Sequence, residues 1–366
     1  MTVPADATLR RVANKVLPRP VVVRLSSVAA AQKRRSNERK LDEAPELFRR
    51  AYAEYWRTGT VPTQAEELLF LATWASGGTL PRRLATERGQ PFDAAAYAAF
   101  PDDLLADVDP VAVASGVEAD GYYVVPSRLS PDAVDDILEV LERGPAKPQG
   151  DGMASLPPGR PEPTAPTWWM DPADALRSPT VRRLLRERRL AEVGGHYLGA
   201  DPMIMSVVLW KSFAWSEPDK SSAQAFHFDN DRASFVKMFV YLTDVDATNG
   251  PHTYVAGSHR DKPKDLLHGQ RLSDADVTRF YPKEKLQEIT GPRGTVFFAD
   301  TQGFHKGGHV ASGERAIFQV NLASDRFGID GRPLGPPSAA PAELAPALSA
   351  APRFFSQLFP AAPAQP

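Results

Sequence analysis

The sequence predicts a mainly β protein with helices, in which a helical N-terminal extension precedes an antiparallel barrel or jelly roll. Helical periodicity dominates residues 1–110, whereas β-branched and aromatic segments dominate residues 202–324. Turn signals separate those segments from one another. Many strands joined by turns, with helices gathered on the N-terminal side, are typical of such a barrel.

Composition and charge exclude several classes of protein. The 366-residue chain contains no cysteine, which excludes disulfides, thiolate metal sites and a cysteine nucleophile. The formal net charge of -2 gives no reason to expect nucleic acid or an anionic membrane as a partner. The basic residues 32–40 are better explained as a solvated segment than as a nucleic-acid patch. No apolar run approaches the roughly 18 residues of a membrane span, and no signal peptide is recognised, so we expect a cytoplasmic protein.

The N-terminal extension is predicted to be helical over residues 1–110. One apolar face of its first clear helix carries Leu47, Phe48, Ala51, Tyr52 and Tyr55. The following helix is predicted to begin with a capping box formed by Thr63 and Glu66 and to end at Gly77.

The barrel domain is predicted to cover residues 111–328 and to open with a strand and a helix. Ser130 suits the N-cap of that helix, Pro131 its first position and Gly144 its end. The proline-rich residues 144–166 cannot continue a helix or a central strand, so they predict a long loop or a lid over the barrel mouth.

After that loop, two tryptophans, one more helix and then the strands of the barrel are predicted. Trp168 and Trp169 fit either a wall of a substrate pocket or simple core packing, and residues 178–199 predict one helix. Asn249 and Gly250 indicate a hairpin turn between two of the strands. The strands are predicted at residues 202–215, 225–231, 234–246, 251–259, 294–300 and 315–324.

Residues 329–366 form a tail rich in proline and alanine, with nine prolines from Gly331 onward. Such a composition predicts a mostly irregular segment, in which residues 353–359 dock as one short helix at most. We expect this tail to be dispensable for the barrel and for metal binding.

The chemistry of the sequence centres on "AFHFDND" at residues 225–231. In a strand, residues two apart point to the same face, so His227 and Asp229 are expected to project together. The pair alone is weak evidence, because 7 histidines and 45 acidic residues give such a spacing about once by chance. A half-buried histidine beside a surface acid is the plain alternative to a metal site.

A second segment, at residues 294–321, supplies a further histidine and an arginine. His305 follows one strand and Arg315 opens the next, so both can point into the same barrel. Two histidines and one carboxylate leave open coordination positions that suit ferrous iron. An arginine inside an apolar barrel needs an anionic partner, and its plain alternative is a surface strand residue.

Five motifs in order resemble the phytanoyl-CoA dioxygenase family of Fe(II)/2-oxoglutarate-dependent oxygenases. They cover residues 112–325, and two positions depart from the family pattern, Ala256 before Gly-Ser-His and Phe228 after the first histidine. The motifs are "ADGYYVVPSRLSPDAV", "FHFD", "YLTDVDATNGPHTYVAGSH", "FHKGG" and "GERAIFQV".

The resemblance implies a double-stranded β-helix, a jelly-roll barrel of the cupin type. It implies iron(II) held by His227, Asp229 and His305, with 2-oxoglutarate meeting Arg315. The reaction it implies uses O2, releases succinate and CO2, and hydroxylates an unactivated C–H bond of a small-molecule substrate. Lys237 is assigned either to the co-substrate, as a second cation, or to a side chain that reaches solvent.

Several alternatives stay open from the sequence. His309 could replace His305. His252 and His259 lie on the predicted hairpin, and His259 is better explained as holding that turn by hydrogen bonds than as a metal ligand. A non-catalytic metal or small-molecule binding module has no need of both the ligand set and Arg315, and a cupin-type isomerase or hydrolase needs no Arg315. The substrate-binding residues and the oligomeric state are not assigned.

Overall fold

The computed structural model describes residues 40–148, 165–218, 223–267, 271–329 and 331–361 of the chain. Residues 149–164 of the proposed lid and residues 32–39 of the basic segment lie outside these described residues. No described helix is both long enough and apolar enough to cross a membrane.

Helices occur at both ends of the described chain and between the early strands. Short 3-10 turns join some of them, the first at Ala94–Tyr97. The α-helices are α1 (Ala44–Thr58), α2 (Ala65–Ser76), α3 (Thr79–Arg88), α4 (Pro110–Asp120), α5 (Pro131–Arg143), α6 (Pro172–Ala175), α7 (Pro179–Leu184), α8 (Arg188–Leu198), α9 (Asp274–Thr278) and α10 (Ala345–Ala350).

The strands form two antiparallel sheets that face each other. They are β1 (Tyr122–Arg128), β2 (Ala146–Pro148), β3 (Thr167–Met170), β4 (Met203–Phe213), β5 (Phe235–Tyr241), β6 (His252–Val255), β7 (Leu286–Ile289), β8 (Thr295–Ala299), β9 (His305–Gly307) and β10 (Glu314–Ala323). The major sheet has the order β1-β8-β5-β10-β4-β3-β2, and the minor sheet has the order β7-β6-β9. The two sheets meet where His252 of β6 packs 5.2 Å from Phe239 of β5. This arrangement confirms the predicted jelly roll.

The major sheet is buried on both faces at its centre. All seven residues of β5 are buried. Val236, Met238 and Val240 join the core beneath the helices, whereas Lys237, Phe239 and Tyr241 point between the two sheets. A strand covered on both faces reads as a nearly continuous apolar run, so Lys237 stands out in it.

The helical N-terminal region is present over its described residues, 40–110, and packs against the end of β10. Residues 1–39 of the predicted extension lie outside the described residues. Phe48 and Tyr52 of α1 are buried against Phe327, and the Tyr52 hydroxyl donates a hydrogen bond to Asp325 at 2.7 Å. Leu47 is 40% exposed, so it does not belong to the buried face as predicted.

The predicted helix ends are correct in part. Ser130 caps α5 through a hydrogen bond from Ala133, and α2 ends at Gly77, whose φ is 65°. The capping box at Thr63 is wrong, because α2 begins at Ala65 and its N-cap residue Gln64 makes no side-chain cap bond.

The single helix predicted over residues 178–199 is also wrong, because the chain forms α7 and α8 with a break at Glu187. The buried Glu187 carboxylate accepts hydrogen bonds from the backbone N–H groups of Leu104 at 2.9 Å and Asp103 at 3.1 Å. A buried carboxylate needs such donors, and Glu187 meets them from the N-cap position of α8, three residues after the end of α7.

The Asn249-Gly250 turn forms, but the strands on either side of it do not pair as a hairpin. Gly250 has a φ of 83°, and the Asn249 side chain bonds the backbone of Asp244 and Asp246. The chain then crosses from β5 in the major sheet to β6 in the minor sheet. The predicted strand at residues 225–231 is likewise reduced to isolated bridges.

The tail packs into the core, which argues against the prediction that the barrel can dispense with it. Phe354, Phe355, Leu358 and Phe359 are buried in the same cluster as the outer face of the major sheet. Phe354 packs edge-on against Tyr97 at 5.5 Å, and its carbonyl accepts the N–H of Ile204 in β4. Apolar side chains on an irregular segment can fill a core as well as those on a helix can. The high proline content of the tail predicted its irregular backbone but not the burial of its aromatic side chains.

The buried position of Phe354 predicts that this tail is needed for stability. Phe354→Ala is expected to lower the free energy of unfolding by about 3–5 kcal/mol, because it leaves a cavity in the main core. Urea denaturation followed by circular dichroism measures the change. Ser349→Ala, at an exposed tail position, is the control and is expected to change stability by less than about 0.5 kcal/mol. If the two variants were equally stable, Phe354 would not contribute to the core and the tail would be dispensable for stability.

Candidate metal centre

A backbone bridge brings the two predicted histidine ligands together. The N–H of His227 donates to the carbonyl of His305 at 3.0 Å, and the N–H of His305 donates to the carbonyl of His227 at 2.8 Å. The two imidazole rings lie 4.3 Å apart between centroids. Residues 78 positions apart in the sequence therefore share one site through a reciprocal pair of hydrogen bonds.

Both imidazoles are oriented by the same local contact. The Nδ1 atom of His227 lies 3.0 Å from the carbonyl of Ala225, and Nδ1 of His305 lies 2.9 Å from the carbonyl of Gly303. A carbonyl only accepts, so Nδ1 carries the proton and Nε2 keeps its lone pair. The two Nε2 atoms lie 3.7 Å and 3.6 Å from the carboxylate of Asp229.

Burial keeps both histidines neutral. Burial and the neighbouring His305 lower the pKa of His227 to about 3, and burial also lowers the pKa of His305. Burial opposes ionisation of Asp229, but the neighbouring Lys237 overcomes it and holds the pKa of Asp229 well below its usual value. Neutral imidazoles and an ionised carboxylate are the forms that bind a divalent metal.

These three side chains form the group of His and acidic residues, within the described part of the chain, that can hold a metal ion. Their ligand atoms lie within 4.8 Å of one another. His309 is not part of the group. His252 stacks parallel to His305, with 14° between the ring planes, so the two rings cannot both direct a nitrogen at one ion. His259 lies 3.2 Å from the carbonyl of Glu118 through Nε2, which fits the predicted role in holding its turn.

Lys237 lies beside the metal group and does not reach solvent. Its Nζ atom contacts Asp229 at 2.7 Å and Asp231 at 2.9 Å, and its side chain is 8% exposed. Burial opposes its charge, but the two carboxylates raise the pKa of Lys237 above its usual value. Its predicted contact with the co-substrate stays a prediction, whereas its contacts with the two carboxylates are direct.

Arg315 lies on the inner face of β10 as expected. Arg315 is 6% exposed, and its Nε and Nη1 atoms are buried with no hydrogen-bond partner among the described residues. Burial lowers the pKa of Arg315, and no carboxylate in the described chain pairs with it. Buried guanidinium donors without an acceptor fit an anionic ligand, since leaving them unpaired is costly.

Two predicted aromatic residues separate onto opposite faces of β3. Trp168 is fully buried and packs on Phe213 at 5.5 Å, so it belongs to the core. Trp169 points to the inner face, where it stacks on Trp210 at 5.1 Å.

Sequence reasoning missed Asp231 and Asn321. Asp231 continues the alternation of His227 and Asp229, which was the available signal. Asn321 donates a hydrogen bond to Asp231 at 3.5 Å, and nothing local to its strand predicts that contact.

Comparison with known proteins identifies the family of the chain. The family model of phytanoyl-CoA dioxygenase (PhyH) matches residues 117–317, more than half of the chain. The chain belongs to the phytanoyl-CoA dioxygenase family. It is therefore an enzyme of the Fe(II)/2-oxoglutarate-dependent dioxygenase class, whose cofactors are Fe(II), 2-oxoglutarate and O2, and its His-Asp-His group fits the metal. No curated protein matches the chain significantly.

Solved structures resemble this member of the phytanoyl-CoA dioxygenase family at low identity. EctD from S. alaskensis, with 2-oxoglutarate and 5-hydroxyectoine, is 20% identical at a TM-score of 0.45, covering 67% of this chain and 89% of that chain. HygX from Streptomyces hygroscopicus, with nickel and 2-oxoglutarate, is 18% identical at 0.40, covering 57% and 84%. The epimerase SnoN from nogalamycin biosynthesis is 19% identical at 0.41, covering 59% and 84%.

The position of Lys237 predicts a stability effect that depends on metal. Without metal, Lys237→Met leaves two partly buried carboxylates unpaired and is expected to destabilise the protein by about 3–5 kcal/mol. A divalent ion restores positive charge there, so Mn(II) is expected to stabilise this variant more than the wild type. Urea denaturation with and without Mn(II) measures both effects.

Lys211 provides a matched control on the outer face of the barrel. It is also buried and also pairs with two carboxylates, those of Glu142 and Glu314. The change in stability caused by Lys211→Met is expected to be the same with and without Mn(II). If Mn(II) rescued both variants equally, Lys237 would have no particular connection with the metal group.

Proposed function

We propose that this protein is a non-haem Fe(II)/2-oxoglutarate-dependent dioxygenase that hydroxylates an unactivated C–H bond of a small-molecule substrate. Succinate and CO2 are the co-products. The observation that carries the proposal is the coexistence of a complete His-Asp-His group and a buried Arg315 with unused donors. A cytoplasmic location and the absence of a nucleic-acid or membrane partner remain predictions of the sequence.

In this proposal, His227, Asp229 and His305 hold the iron. The carbonyls of Ala225 and Gly303 orient the two imidazoles, and Lys237 holds one oxygen of Asp229. Bound iron, with 2-oxoglutarate and O2, supplies the oxidising chemistry. The protein contributes a fixed set of ligands on one side, which leaves the opposite positions open.

Arg315 is proposed to bind the distal carboxylate of 2-oxoglutarate. Ser212 stands directly opposite Arg315 on β4, and the hydroxyl of Thr167 lies 3.2 Å from that of Ser212. The guanidinium fork and the one hydroxyl proton that the Thr167–Ser212 hydrogen bond leaves free provide donors for both carboxylate oxygens. Apolar neighbours exclude water from this end, since Tyr241, Phe239 and Phe297 are buried.

The alternative is a non-catalytic metal or small-molecule binding module. Such a module has no need of both an intact ligand set and a buried arginine with no protein partner. A metal-dependent isomerase or hydrolase of the cupin type likewise needs no Arg315. Consumption of 2-oxoglutarate coupled to a substrate separates the dioxygenase from all of these.

The ligand set predicts one equivalent of Fe(II), which is lost on His227→Ala or Asp229→Ala. Removing one of three protein ligands leaves two, which hold the ion weakly. Metal analysis after anaerobic loading and desalting measures the stoichiometry. His196→Ala, at an exposed position of α8, is the control and is expected to keep the full equivalent. Full stoichiometry in both ligand variants would place the ion elsewhere, with His252, His259 and His309 as the next candidates.

The proposed role of Arg315 predicts a loss of 2-oxoglutarate affinity without loss of iron. Charge-assisted bonds to a buried carboxylate contribute about 1.5–3 kcal/mol, and stranding one partner costs more. Arg315→Ala is therefore expected to weaken 2-oxoglutarate binding by roughly one to three orders of magnitude. Arg315→Lys is expected to recover only part of the loss, because a point charge lacks the planar fork. Anaerobic titration of the metal-to-ligand charge-transfer absorption measures the affinity.

Lys237→Met in the same titration tests the second predicted cation. If Lys237→Met lost much of its affinity for 2-oxoglutarate and Arg315→Ala kept the wild-type affinity, Lys237 would be the residue that binds the distal carboxylate of 2-oxoglutarate. No 2-oxoglutarate binding in the iron-loaded wild type would refute the dioxygenase proposal.

A further inference from the structure

Three half-exposed residues coincide on the inner face of the two central strands β4 and β10. Most residues of both strands are buried, but Ser206, Val208 and Gln319 remain partly exposed. Gln319 lies directly opposite Val208, and Ser206 lies opposite Asn321 in the next row. Exposure at one patch in the middle of a sheet means that solvent reaches the inner face there.

The same face carries an exposed indole. Trp169 of β3 lies directly opposite Trp210 of β4, and the two rings stack with a centroid distance of 5.1 Å. Trp169 is 37% exposed although β3 is paired on both edges, by β2 and by β4. One face of its ring is therefore covered by Trp210, and part of its surface stays open.

This strip leads to the metal group. Asn321, two residues from Gln319 and on the same face, bonds Asp231, which Lys237 joins to Asp229. A strand rises about 3.3 Å per residue, so Gln319 lies one row, roughly 7 Å, from this end. The indole pair lies one row further, at roughly 13 Å along the strand.

The side chains of the strip define its chemistry. Ser206, Val208, Gln319, Trp210 and Trp169 are all uncharged. The Gln319 amide has no hydrogen-bond partner within the described residues, and it can donate as well as accept. The nearby charges of Lys237, Asp229 and Asp231 already neutralise one another in part. The charge of Arg315, one row beyond the indole pair, is assigned to 2-oxoglutarate by the proposed function, so the strip itself offers no charged partner to a substrate.

We propose that this strip, formed by Trp169, Trp210, Val208, Gln319 and Ser206, is the substrate site and that it takes an uncharged molecule with a planar aromatic ring. The ring stacks on the open surface of Trp169, and the Gln319 amide hydrogen-bonds a polar group between the ring and the metal. A ring held at one end of the strip leaves the other end of the molecule at the metal group. This inference rests on the proposed function, because it takes the His-Asp-His group as the reacting centre.

Equilibrium dialysis of the Mn(II)- and 2-oxoglutarate-loaded protein with naphthalene-2-carboxamide tests the proposal. This probe is planar and uncharged and carries one amide. Its decahydro analogue has a similar shape without the aromatic face, and 2-naphthoate adds a charge. We expect the aromatic amide to bind at least about tenfold more tightly than either comparison molecule, and tighter binding of either one would overturn the assignment.

Two substitutions and a matched control locate the binding. Trp169→Ala is expected to weaken binding of the probe about tenfold, whereas Trp169→Phe is expected to keep most of the affinity. Gln319→Leu is expected to weaken binding of the probe several-fold. Trp215→Ala is the control, because Trp215 is also 37% exposed and lies beyond the end of β4. It is expected to change the affinity less than twofold. Equal affinities in Trp169→Ala, Trp169→Phe and the wild type would overturn the site.

The same samples separate this inference from the proposed function. If 2-oxoglutarate binds the iron-loaded protein but the probe does not, the substrate class is wrong and the dioxygenase proposal stands. If the probe binds as expected and 2-oxoglutarate does not, the strip is a binding site but the proposed reaction is wrong.

Discussion

The reciprocal backbone hydrogen bonds between His227 and His305 are the constraint on which the site depends. They join an otherwise irregular segment after β4 to the first residue of β9, and so they bring together ligands that are far apart in the chain. Each hydrogen bond is ordinary in strength, but the two bonds form as a pair between the same two residues. This pairing fixes the position of one imidazole relative to the other. The carbonyls of Ala225 and Gly303 then set the ring orientations, so that the ligand nitrogens face Asp229 before a metal arrives.

Charge balance completes this arrangement. Asp229 and Asp231 lie on the same side of one segment, and a single lysine from the centre of the major sheet contacts both. A buried lysine in a β-rich core is costly unless it is paired, and here it is paired twice. The sheet thus supplies the cation and the irregular segment supplies the anions, which couples the position of the segment to the barrel.

The sequence predicts the chemistry of this site better than it predicts the connections around it. His227, Asp229 and Arg315 could be proposed because the order of the motifs around them resembles that of the phytanoyl-CoA dioxygenase family, whereas the His-x-Asp pair alone is weak evidence. The crossing from the major to the minor sheet after Gly250 could not be predicted. An Asn-Gly turn has the same sequence whether the strands on its two sides pair with each other or join different sheets. The break at Glu187 depends on backbone donors 82 to 84 residues away, which local periodicity does not contain. Apolar residues of the tail were hidden among prolines, although their partner Ile204 lies in the first long strand.

The packing of Phe354 has a consequence for the order in which the chain can fold during synthesis. Domains generally fold as units while the chain emerges from the ribosome, N-terminal parts first. Here the aromatic cluster formed by Tyr97, Phe100, Phe354 and Phe355 joins a segment that precedes the first strand to one that follows the last strand. The metal ligands are all made earlier, so the nascent chain holds every ligand while its main core still lacks residues 354–359. Residues 354–359 therefore complete this cluster only after every metal ligand has been translated, and until then their partners Tyr97 and Phe100 lack this cover.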